Sequence, residues 1–508
     1  MNFSFIAASA AQKSAADLLV LPLFENDLAP KAAPPALKDA DAALGGHLLE
    51  AAQQEGFAGK TEQSMTFHTH GKIGAARVLL LGLGQRARFT PEVMRLAAGR
   101  ASRAAQRLKA KGVVYALGEL RDLEQCIKAV VEGFVMGSYR FDRYRTKKDD
   151  GAADGGPRQV ALALPEGTEK KPAHEDMVEL GKRVAEATNW ARDLVNEPAG
   201  VMTPTRLASE ARKLAKGTGL KIAVSGRPEI KRLKLGMFMG VTQGSAEPPQ
   251  LVRVSYVPKS PKDAKRPPVA LVGKAITFDS GGLSLKPAEG MVDMKTDMAG
   301  SAAVLGAMKV IAYLKPPFPV HALLGACENM PSGTAYRPGD VLISRLGKTV
   351  EITNTDAEGR LVLGDMLTLA NELKPEAIVD LATLTGACMV ALGHYVTGAF
   401  GDDDQLMYSV LEAARAAGEE LWRMPIHDLQ KDALKSDVAD MKNSGERWGA
   451  AINAAVFLRE FVGETPWVHL DIAGPSISPK ERGYLGKGAT GVGVRTLVEL
   501  IRRRASEA

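Results

Sequence analysis

A chain of 508 residues that is 45% hydrophobic and 24% charged has the balance of a soluble globular protein and the length of two or three domains. Its 65 basic and 59 acidic residues leave a formal charge of +6, too modest at this size to mark a nucleic-acid partner by itself. Three widely spaced cysteines, Cys126, Cys327 and Cys388, exclude a disulfide framework or a zinc knuckle and fit buried thiols in a reducing compartment.

The first residues lack the basic n-region of a signal peptide, and no apolar run approaches the length of a membrane span, so a cytoplasmic location with no membrane contact is the default expectation. Residues 18–23, 78–81 and 113–116 read as short buried strands, and residues 91–108 and 123–135 carry helical periodicity. Together they predict a small α/β domain. Composition then shifts across residues 145–171, with Lys147, Lys148, Asp149, Asp150 and Gly151, then Gly155-Gly156-Pro157, before a short apolar stretch and Glu169-Lys170-Lys171-Pro172 after it. The domain junction is expected there, giving an N-terminal domain over 1–170 and a C-terminal domain over 171–508.

Beyond the junction, strands at 252–257, 269–272, 320–325, 378–381 and 468–472 alternate with helical runs at 301–314, 361–373 and 453–461. Such alternation predicts a larger α/β domain with a parallel or mixed sheet flanked by helices. Two charged constellations fall at its strand ends. The strand at 269–272 is expected to deliver Lys274 and Asp279 to a glycine-rich loop, followed by Lys286 and Asp297. The second is Asn354-Thr355-Asp356-Ala357-Glu358-Gly359-Arg360-Leu361, between a strand-like segment at 349–352 and a helix at 361–373.

Crowded carboxylates take cations as partners, and Asp279, Asp297, Asp356 and Glu358 supply enough hard oxygen ligands for two bridged dications. A lysine can join them only as the neutral amine, a form that a neighbouring dication favours. Lys286 and Arg360 remain as cations able to stabilise negative charge developing in a transition state. Competing motifs are weaker. Gly486-Lys487-Gly488-Ala489-Thr490-Gly491 fits a dinucleotide fingerprint but leaves no room for a following βαβ unit, and no histidines pair at metal-ligand spacing on a helix. His68 and His70 would share a strand face, more in keeping with a surface than a ligand pair, and no Gly-x-Ser-x-Gly elbow is present.

The chain resembles the leucyl aminopeptidase (cytosol aminopeptidase) family of dinuclear metallopeptidases. The resemblance is carried by residues 354–361, by the Lys274, Asp279, Lys286, Asp297 series, and by the segments at 191–196, 380–387, 436–443 and 488–491. It implies that Lys274, Asp279, Asp297 and Glu358 hold the tighter metal, while Asp279, Glu358 and Asp356 hold the more exchangeable one. It further implies that Lys286 contacts the substrate carbonyl and that Arg360 anchors a bicarbonate ion. Met294, Asn354, Thr383 and Gly386 fall where that family lines its substrate pocket. Mn²⁺ or Zn²⁺, with Mg²⁺ or Co²⁺ as further candidates, peptide substrates with a leucine-like N-terminal residue, and a homohexamer are implied in the same way. Some bacterial members double as DNA-binding accessory factors, which the charge of +6 supports only weakly. Ala275, the small residues 299–301 and the bulkier Glu446-Arg447-Trp448 depart from the family pattern without removing a ligand, and bear on substrate preference.

Overall fold

The computed structural model describes residues 1–29, 31–146 and 156–508, and its packing resolves into two compact units. One comprises Met1–Glu186 with Lys480–Gly486, and the other Ala187–Pro479 with Lys487–Ala508. The division falls inside the helix Pro172–Asn196 and not at residue 170. Side-chain packing is the reason: Met177 and Val178 join the core of the first unit, and Gly181 lies against Lys128 and Val131. A composition shift marks where the chain is polar, whereas a domain boundary lies where packing changes partner. Residues 147–151 and 155, part of that shift, lie outside the described residues.

In the first unit one sheet contains β1 (Asn2–Ala7), β2 (Ala16–Phe24), β3 (Ser64–His68), β4 (Ala75–Gly84), β5 (Gly112–Ala116) and β6 (Gln159–Leu164). Their order is β1-β6-β5-β2-β4-β3, parallel except where β3 pairs with β4. Both faces are covered, which is why β2 reads as an unbroken apolar run. Leu18 and Val20 pack with residues of helices Pro91–Arg107 and Leu123–Gly137, while Leu19, Leu21 and Leu23 pack with those of Pro35–Ala43 and His47–Gln54.

The second unit continues with β7 (Lys221–Ser225), β8 (Gln250–Tyr256), β9 (Val269–Asp279), β10 (Val320–Asn329), β11 (Val341–Ile343) and β12 (Thr349–Glu351). After these come β13 (Ala377–Ala382), β14 (Val396–Phe400), β15 (Glu420–Arg423), β16 (Met441–Lys442) and β17 (Trp467–Asp471). Eight of them form a mixed sheet ordered β15-β14-β17-β13-β9-β10-β8-β7, whose central strands β17, β13, β9 and β10 are mutually parallel. A separate small sheet runs β11-β12-β16.

Alternation along β9 assigns its two faces. Val272 and Ile276 enter the core built with Leu361, Val362 and Met366 of helix Glu358–Asn371. Gly273 points the other way, where a Cβ would stand 2.7 Å from Ser301 Cα in helix Ala299–Leu314. Helices therefore flank the sheet on both sides, as the alternating sequence pattern predicts. Counted through the short turn before it, the helical run Ala288–Leu314 is long and apolar enough to cross a bilayer, yet 83% of its most apolar window is buried inside the protein. It is read as a core helix, apolar because it fills an interior.

Candidate metal centre

The expectation that β9 ends near residue 272 is corrected: it runs to Asp279, so Lys274 is a mid-strand residue. Lys274 shares the face of Val272 and Ile276, and that parity aims it at the start of helix Glu358–Asn371. Simple alternation would put Asp279 on the opposite face. The β9/β10 register shifts, however, between the pairs Ile276↔Cys327 and Phe278↔Glu328, leaving Thr277 as an extra residue. The bulge returns Asp279 to the face of Lys274, a re-aiming common beside functional sites. Helix Glu358–Asn371 likewise begins three residues earlier than residue 361, which makes Glu358 its first residue. A carboxylate there faces the positive end of the helix dipole.

Two ion-pair clusters result. Lys274 Nζ is 2.8 Å from Asp297 Oδ2 and 2.9 Å from Glu358 Oε1, and it donates to the carbonyl of Thr383 at 3.0 Å. Lys286 Nζ is 2.8 Å from Asp279 Oδ2 and 2.5 Å from Asp356 Oδ1. The clusters adjoin, because Asp279, Asp356 and Glu358 each offer an oxygen within 4.8 Å of the others. Thr383 Oγ1 donates to Asp297 at 2.7 Å, and Asn354 Oδ1 accepts from the amide of Asp356 at 2.9 Å. Arg360 donates to the carbonyl of Asn443 at 3.0 Å. Gly386 opens the helix Gly386–Leu392, and a Cβ there would meet nothing within 4 Å, so it borders open space. Met294 begins the turn leading to Asp297, and its carbonyl accepts from the Asp297 amide at 3.3 Å.

Electrostatics mark these residues as a cation site. Four carboxylates face two ammonium groups, which leaves excess negative charge in a buried place. Burial, together with the neighbouring acids, pushes Asp297, Asp356 and Glu358 above the usual carboxylate range despite the two lysines. Burial opposes the charge on Lys274, but Asp297, Glu358 and Asp279 outweigh it and raise its pKa. Asp279 and Glu358 are buried, and among the described residues Glu358 Oε2 has no hydrogen-bond partner. An unpaired buried carboxylate oxygen is costly, so the donor set fits dications, which would neutralise that charge.

The sequence reading misses the groups that stitch the loops together. Thr355 and Ser284 exchange hydrogen bonds, from Ser284 N to Thr355 Oγ1 at 2.7 Å and from Thr355 N to Ser284 Oγ at 3.1 Å. Asn329 Nδ2 bridges Asp279 Oδ1 and the Thr355 carbonyl, which also accepts from Tyr336. Asp471 pins the loop after β13, accepting from Leu384 N and from Thr385 Oγ1 at 2.7 Å. An acid inside the apolar run 468–472 is a usable signal for Asp471. Asn329 and Tyr336 carry no local one.

Gly359 is required by close approach. A Cβ there would stand 2.5 Å from both Cε and Nζ of Lys274. Gly359→Ala is expected to displace the lysine from Asp297 and Glu358 and to weaken metal retention by about tenfold or more. Metal content after dialysis checks this, and wild-type retention would contradict it.

Comparison with known proteins shows the family. Residues 189–498 match the catalytic domain, and residues 20–148 the N-terminal domain, of the cytosol aminopeptidase family. A probable cytosol aminopeptidase from Geobacter sp. (strain M21) is 45% identical over 92% of this chain and 94% of that protein. One from Alkaliphilus oremlandii is 43% identical over 96% of each. Among solved structures, a mutant of tomato leucine aminopeptidase has a TM-score of 0.89 at 36% identity, covering 99% of this chain and 96% of that one. The bottromycin maturation enzyme BotP in complex with Mn has a TM-score of 0.84 at 37% identity, covering 97% and 100%. The chain belongs to the cytosol aminopeptidase family, metal-dependent hydrolases that act on peptides.

Proposed function

We propose that the protein releases N-terminal residues with leucine-like side chains from peptides, using two metal ions, in the cytoplasm. The observation that carries this reading is the convergence of Asp279, Asp356 and Glu358 oxygens within 4.8 Å, interlocked with Lys274, Lys286 and Asp297. Lys274, Asp279, Asp297 and Glu358 would hold one ion, and Asp279, Asp356 and Glu358 the other. When bound, a pair of dications acidifies water and polarises a peptide carbonyl. Mn²⁺ and Zn²⁺ are the proposed ions, and the Mn complex of BotP favours the first.

The protein's own residues divide the remaining work by exposure. Lys274 is only 4% exposed and can serve only the site's interior, whereas Lys286, at 17%, can reach a bound substrate. Lys286 would stabilise charge developing on the substrate carbonyl oxygen. The Nε of buried Arg360 has no acceptor among the described residues, which supports its holding an oxyanion such as bicarbonate. Met294, Asn354, Thr383 and Gly386 would line the substrate pocket, and the open space at Gly386 supports an apolar side chain lodging there. Assembly as a homohexamer is proposed from family likeness. A net charge of +6 gives an additional DNA-binding role little support.

Hydrolysis of leucine p-nitroanilide before and after EDTA treatment tests the reading. Activity should fall to background on metal removal and return with Mn²⁺ or Zn²⁺. Turnover that survives complete metal removal would contradict it.

A further inference from the structure

The segment carrying Asp356, Glu358 and Arg360 is not held in shape by its own side chains alone. Asn443 stands immediately after β16, which runs parallel to β12 with Val350 opposite Met441 and Glu351 opposite Lys442. The pairing brings Asn443 alongside the chain just where β12 gives way to the acidic loop. Asn443 is fully buried, and each of its polar groups is spent on residues 351–360. Its amide donates to the Glu351 carbonyl at 2.9 Å. Its Oδ1 accepts from the amides of Thr353 at 2.9 Å and Asn354 at 3.3 Å. Its Nδ2 donates to the carbonyls of Asn354 at 2.7 Å and Ala357 at 3.4 Å. Its own carbonyl accepts from Arg360 at 3.0 Å.

We infer that Asn443 is a positioning residue for the hydrolytic reaction. It clamps the main chain on either side of Asp356, so that this carboxylate, Glu358 and the Arg360 guanidinium keep a common orientation. The inference rests on the metallopeptidase reading above. Only a primary amide can fill the place: the loop presents both N–H groups and carbonyls, and a side chain that merely donates or merely accepts leaves some of these buried groups unpaired. An aspartate would be the wrong occupant, because its second oxygen would oppose the carbonyls of Asn354 and Ala357.

The test compares Asn443→Ala and Asn443→Asp with Asn453→Ala. Asn453 is also buried, but its amide donates to the carbonyls of Glu446 and Trp448, not to residues 351–360. Mn²⁺ affinity of the metal-free proteins is measured by competition with a chelating dye, alongside Tm, kcat and KM for leucine p-nitroanilide. All three variants should melt lower. Only the Asn443 pair should lose about 10- to 100-fold in Mn²⁺ affinity, with kcat falling more than KM rises. If Asn443→Ala does not fold, Asn443→Asp, of nearly unchanged volume, carries the same expectation. Mn²⁺ affinity and kcat within about twofold of wild type in a folded Asn443 variant, or equal losses in Asn453→Ala, would overturn the assignment. Wild-type protein that binds no Mn²⁺ and no Zn²⁺ would instead overturn the metallopeptidase reading beneath it.

Discussion

Lys274→Met should yield a protein that folds but retains less metal and melts several degrees lower in its metal-free form. Methionine matches the length of the lysine stem and keeps the apolar packing, so the change isolates the amine. That amine lies between Asp297 and Glu358, at 2.8 and 2.9 Å, and is nearly inaccessible. Removing one partner of a buried pair leaves uncompensated charge and costs roughly 3–5 kcal/mol, although protonation of one acid would recover part of it. Adding Mn²⁺ should restore less of the Tm than in wild type, because a neutral amine is no longer available as a ligand. Calorimetry of metal-free and Mn²⁺-loaded protein, with elemental analysis after dialysis, reads both effects. Wild-type Tm and metal content together would show that Lys274 neither pairs with the acids nor assists the ions.

How much of this site could be read in the sequence depends on how locally each feature is encoded. The octapeptide at 354–361 concentrates its chemistry in adjacent residues, so Asp356, Glu358 and Arg360 stand out before any fold is known. Strands β2, β9 and β13 are buried on both faces and announce themselves as apolar runs. β1, β3 and β7 alternate exposed and half-buried residues and carry no such run, so they escape a reading based on apolar stretches. The end of β9 is misplaced because Lys274 looks like a terminator to a hydrophobicity pattern. It is tolerated in mid-strand only because distant acids neutralise it. The bulge at Thr277 is also invisible locally, since it exists only as a mismatch between two strands' registers. Asn329 and Asn443 act through contacts with residues far away in the chain, and nothing near them in sequence states what they hold.

Lys286→Ala and Arg360→Ala are expected to reduce kcat by about 10²–10³-fold each, the loss typical when one donor to a developing oxyanion is removed. Metal content should change little, because neither residue belongs to the proposed ligand set. The two variants should nonetheless differ in stability. Lys286 is partly exposed and bridges Asp279 and Asp356, so its loss in the metal-free protein removes compensation from two acids that bound ions can compensate in its place. Arg360 is buried, and its removal deletes the hydrogen bond to the Asn443 carbonyl and leaves that acceptor unsatisfied. Mn²⁺ should therefore rescue the Tm of Lys286→Ala more fully than that of Arg360→Ala. Steady-state kinetics on leucine p-nitroanilide, elemental analysis and melting with and without Mn²⁺ separate these outcomes. A folded Lys286→Ala enzyme with wild-type kcat would remove the lysine from the reaction, and one that loses both its metal and its turnover would make Lys286 a metal ligand instead.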